Sequence, residues 1–139
     1  MERTFTIIKP NAVAAGATGK IIDHLTGEGF RFVAMRMVWL SGNDAARFYA
    51  IHRDKPFFAN LIGFMTSGPV VVAVVEHPAA VAHLRRVVGD TDPANAAEGT
   101  VRRLYGRDKT QNAIHASDSV ENAAIEMGQF FCESDIMNF

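Results

Sequence analysis

Hydrophobic and polar positions alternate from Arg3 to Ile8, with Phe5 and Ile7 on one face, until Lys9-Pro10 stops the run. Alternation of this kind is the signature of a half-buried strand. After a turn at Gly16 and Gly19, Ile21, Ile22 and Leu25 fall on one helical stripe that Gly27 and Gly29 end. Phe30 to Leu40 predicts a second strand, with Phe30, Phe32, Ala34, Val38 and Leu40 at period two and Ser41-Gly42-Asn43 as punctuation. Two short helices follow. One runs from about Asp44 to Ile51 and is anchored by Phe48 and Tyr49; the other opens at Pro56 and turns Phe57, Leu61, Phe64 and Met65 inward. Pro69 to Val75 is a continuous, mostly β-branched run, the pattern of a strand buried on both faces. His77-Pro78 then leads into a helix carrying Val81, Leu84 and Val88, closed by Gly89.

Asp90 to Asn112 has no clean period and reads as a long irregular loop, a feature that in compact domains usually serves function. A short fourth strand is expected at Ile114 to Ser117. A final helix is expected from about Ser119 to Phe131, with Val120, Ala123, Ala124, Met127 and Phe131 on its buried stripe. This order predicts an α+β fold: a ferredoxin-like sandwich with a four-stranded antiparallel sheet and helices covering one face. Residues 1–139 are expected to form a single domain.

Bulk composition narrows the choice of function. The chain is 48% hydrophobic and 21% charged, with a formal net charge of −1, so no overall basic field draws it to nucleic acid or an anionic membrane. A polyanionic ligand would have to meet a local cluster of cations. The single Cys132 allows no internal disulfide, which fits a reducing cytoplasm. Neither a secretory leader nor a membrane-length apolar run is expected, the longest apolar stretch being Pro69 to Val75.

Chemistry concentrates around His115, which stands in the run Asn112-Ala113-Ile114-His115-Ala116-Ser117-Asp118-Ser119 just ahead of the last helix. An imidazole is a good nucleophile at neutral pH once another group fixes its tautomer. Ser117 and Glu126 are the candidate orienting pair, although by spacing alone Glu126 also fits an ordinary surface acid. His24, His52, His77 and His83 show no metal-ligand spacing. Lys9 at the end of the first strand, Arg85 on the helix after the third, and Thr91 and Arg102 in the long loop can converge beside His115. Taken singly, each cation is a solvated charge; together they suit phosphoryl transfer, in which cations and Mg²⁺ neutralise phosphate oxygens. The Mg²⁺ would bridge those phosphates rather than sit in a protein cage. Tyr49, Phe57 and Phe58 are candidates for packing, and one of them for stacking on a nucleobase.

The segment from Asn112 to Ser119 resembles the active-site signature of nucleoside diphosphate kinases. Matching segments run along the whole chain: Arg3 to Phe5, Ile8 to Asn11, Phe48-Tyr49, Pro56 to Phe58, Met65 to Val70, Asp92 to Ala94, and Gly99 to Arg102. The resemblance implies a bacterial-type enzyme with a ping-pong reaction, in which a nucleoside triphosphate phosphorylates His115 and a nucleoside diphosphate collects the group. It implies that Glu126 and Ser117 orient the histidine and that Tyr49 packs beside it. Lys9 and Asn112 would meet the ribose 3′-hydroxyl, with Lys9 also near the transferred phosphate. Arg85, Thr91 and Arg102 would bind phosphates, while Phe57 stacks on the base with Leu61 behind it. A homo-oligomer, a dimer built up to a tetramer or hexamer, is the family expectation.

Three positions depart from the family pattern. Ala116 replaces a frequent glycine, which costs about 1 kcal/mol at positive φ and nothing in extended backbone. Lys109 stands where an apolar residue usually covers the second face of the base, and Asp92 replaces a turn asparagine. The alternative function is a non-catalytic, ferredoxin-like regulatory domain that binds a nucleotide. An RNA-binding module of the same topology would carry aromatics and cations on its central strands, and Val70 to Val75 has neither.

Overall fold

The fold is described from a computed structural model that covers residues 1–139. Four strands, β1 (Glu2–Ile8), β2 (Arg31–Val38), β3 (Val70–His77) and β4 (Ile114–Ala116), form one sheet in the order β2-β3-β1-β4. All three pairings are antiparallel. The helices are α1 (Pro10–Ala14), α2 (Thr18–Gly27), α3 (Gly42–Phe48), α4 (Phe58–Met65), α5 (Ala80–Val88), α6 (Val101–Tyr105) and α7 (Val120–Phe130). The architecture is the ferredoxin-like α+β fold. No helix is long and apolar enough to cross a membrane.

Side chains alternate across β1 and β3 and so divide the core in two. Ile8, Val71 and Val75 pack with Ala12, Ile21, Leu25, Leu84 and Val87 on one face. Phe5, Ile7, Val70, Val72 and Val74 pack with Phe48, Leu61, Met65 and Phe131 on the other. The expectation of helices on one face describes only the frame formed by α2 and α5. The second face is covered as well, because the α3–α4 hairpin and α7 close over it. This double cover is why β3 is buried from Val70 to Glu76.

Several local expectations change. Pro10 opens α1 as a first-turn proline rather than ending structure there. The β2–β3 register shifts between Phe32 and Ala34, so Phe30 and Phe32 face one core while Ala34 and Val38 face the other. A single period of two therefore does not run through β2. The Asp90 to Asn112 stretch is not wholly irregular: it holds a 3₁₀ turn at Pro93–Asn95 and α6, whose N-cap Thr100 accepts from the Arg103 amide. Val120 lies off the buried stripe of α7 and is exposed.

Two backbone features fix the loop that leads into β4. Gly89 has φ +89°, and a Cβ there would stand 2.7 Å from Thr100 Oγ1, so the end of α5 can lie directly against the start of α6. Ala113 has φ 77° and is fully buried, and its carbonyl accepts the Lys9 amide at 2.8 Å. Ala116, by contrast, lies in extended β4 backbone, so alanine there carries no conformational cost. Ala113→Val should lower the unfolding free energy by about 2–3 kcal/mol, since a β-branched side chain resists this conformation and overfills the site. Ala113→Gly should stay within about 1 kcal/mol of the parent. Urea unfolding of the two variants checks both values.

Candidate active site

His115 is the middle residue of β4, opposite Ile7 of β1, and its carbonyl accepts from Thr6 Oγ1 at 2.7 Å. Its ring is packed by the edge of Phe48 (centroids 5.0 Å apart, planes at 79°) and by Tyr49 and Phe5, each at 6.3 Å. Ser119 caps α7 by accepting the Asn122 amide, and the helix then carries Glu126 back over the strand. Glu126 Oε1 lies 2.7 Å from His115 Nε2 and accepts that nitrogen's proton. The same oxygen accepts from Ser117 Oγ, also at 2.7 Å. Ser117 is fully buried, with its amide and hydroxyl both near the Phe5 carbonyl at 3.2 Å. The relay thus runs from Ser117 to Glu126 to the ring, and Ser117 does not touch the imidazole. With Nε2–H committed, Nδ1 is the ring nitrogen that keeps its lone pair and has no protein partner. Burial lowers the His115 pKa, opposed by the bond to Glu126, so the ring is neutral and nucleophilic at pH 7.

Cations gather beside the ring. Lys9 follows β1 and is buried, with its Nζ 3.5 Å from the Thr110 carbonyl. Burial, then the Arg102 guanidinium, bring the Lys9 ammonium down to about 7. Arg102 is held by two backbone carbonyls, Gly89 at 2.8 Å and Ile114 at 2.9 Å. Burial, then Arg85, lower its pKa to about 10. Arg85 is exposed, its Nη1 3.3 Å from the Ala116 carbonyl. Asn112 donates to the Thr91 carbonyl at 3.0 Å, which ties the phosphate-loop candidate Thr91 to the base of β4. Three buried polar atoms here lack any protein partner: Asn112 Oδ1, Tyr49 Oη and Arg102 Nε. Such atoms are costly to leave unpaired, which points to a ligand that completes them. Burial, then Glu126, raise the Tyr49 pKa, so its hydroxyl stays a neutral donor.

All these groups open onto one cleft of about 380 Å³, a size suited to a small molecule. Lys9, Tyr49, Phe57, Leu61, Arg85, Thr91, Arg102, Asn112, His115 and Glu126 all line it. Ser117 does not, because it sits behind Glu126. Phe58 packs against the core instead of the cleft. Sequence reasoning missed Phe48 as the ring's closest packing partner, and it missed Ile51, His52, Thr110, Asp118 and Asn122 as lining residues. Phe48 had a signal in the Phe48-Tyr49 pair; Asp118 and Asn122 had one in lying next to the histidine run. No group of three or more His, Cys, Asp and Glu side chains is gathered to hold a metal. Asp118 and Glu126 are the carboxylates of the cleft, and Glu126 is committed to His115. A divalent ion therefore fits this cleft as one held chiefly by phosphate oxygens.

The family model described as nucleoside diphosphate kinase matches residues 2–136. The chain belongs to the nucleoside diphosphate kinase family. It is 50% identical to the nucleoside diphosphate kinase of Chlorobium chlorochromatii over 137 residues, 99% of this chain and 98% of that one. The Nitratiruptor enzyme is likewise 50% identical, over 99% of this chain and all of its own. Among solved structures, the Aquifex aeolicus nucleoside diphosphate kinase superposes with a TM-score of 0.96 at 44% identity, covering 98% of this chain and 99% of that one. A Halobacterium salinarum nucleoside diphosphate kinase in complex with CDP gives a TM-score of 0.95 at 37% identity, covering 99% and 92%. The chain is thus a nucleoside diphosphate kinase, and the non-catalytic regulatory reading is not favoured. For such a kinase the cleft joins a neutral imidazole to a cluster of phosphate-seeking cations.

Proposed function

We propose that this kinase works by a ping-pong mechanism in which His115 Nδ1 carries the phosphoryl group between two nucleotides. The observation behind this reading is the 2.7 Å contact of Nε2 with Glu126, which leaves Nδ1 as the lone pair available to attack. In the first half-reaction Nδ1 forms a bond to the terminal phosphorus of a nucleoside triphosphate. The bond from that phosphorus to the bridging oxygen breaks, its electron pair leaves with the diphosphate, and Glu126 stabilises the imidazolium that results. The second half-reaction is the reverse, with a terminal oxygen of a different nucleoside diphosphate attacking the phosphohistidine. Lys9, Arg85, Thr91 and Arg102 hold and neutralise the phosphate oxygens, and Asn112 with Lys9 positions the ribose. Phe57, with Leu61 behind it, supplies a face for the base, which suits any base because each has a π-face. The Halobacterium relative's CDP supports a nucleotide in the same cleft. Mg²⁺, bound through the nucleotide's phosphates, supplies further charge neutralisation when present.

Residues 1–139 act as one kinase domain, and its single unpaired Cys132 fits a reducing cytoplasm. The protein is a homo-oligomer assembled from dimers, as a tetramer or hexamer. Support comes from β2, an outer strand that takes a bond from the C-terminal segment at Val33, where the Met137 amide donates, and that is flanked further on by exposed Met35, Met37 and Trp39, an arrangement that isolated chains avoid. Light scattering after gel filtration measures the assembly, and a monomer at micromolar concentration would refute this part.

The deciding experiment incubates the protein with ATP and Mg²⁺ and measures intact mass. One added phosphate per chain is expected, labile in acid, stable in base, mapped to His115, and discharged by a nucleoside diphosphate. A protein that turns over while remaining unmodified would transfer phosphate directly between nucleotides. Glu126→Gln should slow phosphoenzyme formation by about 10- to 100-fold, the usual cost of losing a group that orients a functional histidine. Rapid-quench measurement of the first turnover checks it.

A further inference from the structure

Of the residues at the outer end of the cleft, Ile51, Phe57 and Leu61 are apolar, and His52, Lys109 and Thr110 bring polar groups. The Thr110 carbonyl faces Lys9. The His52 ring lies against Phe57, with centroids 5.5 Å apart, and neither ring nitrogen has a partner; an imidazole can donate or accept. Lys109 differs from both. Its ammonium has three donors and no acceptor, it is exposed, and it makes no ion pair or hydrogen bond of its own. Asp108 Oδ1 accepts the amides of Thr110 at 3.0 Å and Gln111 at 2.7 Å, a turn that holds Lys109 at its tip beside the cleft. That carboxylate is turned onto the loop's own amides and does not line the cleft, so it forms no ion pair with the ammonium.

We infer that Lys109 gives this kinase a preference for bases with an oxo group at purine position 6 or pyrimidine position 4 (hypoxanthine, guanine and uracil) over those with an amino group there (adenine and cytosine); this rests on the phosphotransfer reading of the same cleft. A base stacked on Phe57 lies beneath the aliphatic stem of Lys109, and the ammonium reaches past the ring edge. At that edge an oxo group accepts a hydrogen bond from the ammonium. An amino group there presents a second donor, so the ammonium stays bound to water and the amino base gains no bond. A single charge-assisted bond at a solvent-exposed position gives discrimination of about 3- to 10-fold.

Two substrate pairs isolate the group: inosine against adenosine diphosphate, which differ at position 6, and uridine against cytidine diphosphate, which differ at position 4. With dTTP as the common donor, whose base is none of the four compared, the ratio of kcat/KM within each pair is expected to favour the oxo base by about 3- to 10-fold. Lys109→Met keeps the stem and removes the donors, and should bring both ratios to within about 1.5-fold of unity; Lys109→Arg should retain them. Ratios near one in the parent enzyme, or ratios unchanged in Lys109→Met, would overturn the inference while leaving the phosphohistidine mechanism intact. Failure of the parent to transfer phosphate to any of the four would instead overturn the reading on which it rests.

Discussion

In His115→Ala, phosphate transfer from ATP to a second nucleoside diphosphate is expected to fall by at least about 10⁴-fold, because a lost nucleophile leaves only positioning and charge. The fold should survive, since the imidazole is partly exposed and its chief packing partner, Phe48, is held by the core around Phe5 and Leu61. Nucleotide affinity should change by no more than about threefold, as Lys9, Arg85, Arg102 and Asn112 all remain. Coupled-enzyme turnover, calorimetric binding and phosphoprotein mass together separate these effects. Residual transfer above about one per cent, or a phosphate retained at another residue, would assign the nucleophile elsewhere.

Lys9→Met carries the second large effect, and pH reveals its cause. Lys9 has a pKa near 7 in the free protein because burial and Arg102 disfavour its charge. A phosphate placed beside it restores the charge by raising that pKa. Nucleotide binding should therefore take up close to one proton per site at pH 8 and about a tenth of one at pH 6. Calorimetry in two buffers of different ionisation enthalpy measures that proton directly. Lys9→Met should abolish the uptake and slow transfer by about 10²- to 10³-fold, the cost of removing one preorganised donor. Stability should move the other way. The folded pKa lies below the unfolded value of 10.5, so the unfolded chain binds more protons between pH 7 and 10.5. This group's stabilising contribution is thus complete above 10.5 and lost as pH falls to 7. The methionine variant, with no cation to bury, should be the more stable protein at neutral pH. An unchanged proton count in the variant would place the titration on another group.

Much of this arrangement was legible along the chain. The β-branched run of β3 has the pattern of a strand buried on both faces, although the expected fold placed helices on one face only. His115, Ser117 and Glu126 were found because an edge strand followed at once by a capped helix brings those three positions together. What escaped was set by contacts between distant segments. The shift in β2 depends on how Phe32 and Ala34 pair with β3, which residue types do not encode. The five residues of α6 are too few to show a period, and the helix is seated by the close approach of its N-cap Thr100 to Gly89. The positive φ of Ala113 falls on a residue type that does not announce it, and it holds the bond that fastens Lys9 beside the nucleophile. The Nε2 contact with Glu126, and so the identity of the reacting nitrogen, is a matter of rotamer.

The convergence of Ser117 and His115 on a single oxygen of Glu126 has a consequence for the order of events. The ring is clamped from behind and cannot swing to a second chamber, so donor and acceptor must visit one cleft in turn. Only the state of His115 separates the two: the free imidazole takes the group from a triphosphate, and the phosphorylated one gives it to a diphosphate. Forward and reverse passages meet the same contacts, and net traffic follows the ratios of tri- to diphosphate in the surroundings. The enzyme thereby acts as an equaliser of nucleotide pools: like any catalyst it sets the rate of the exchange and leaves its end point alone.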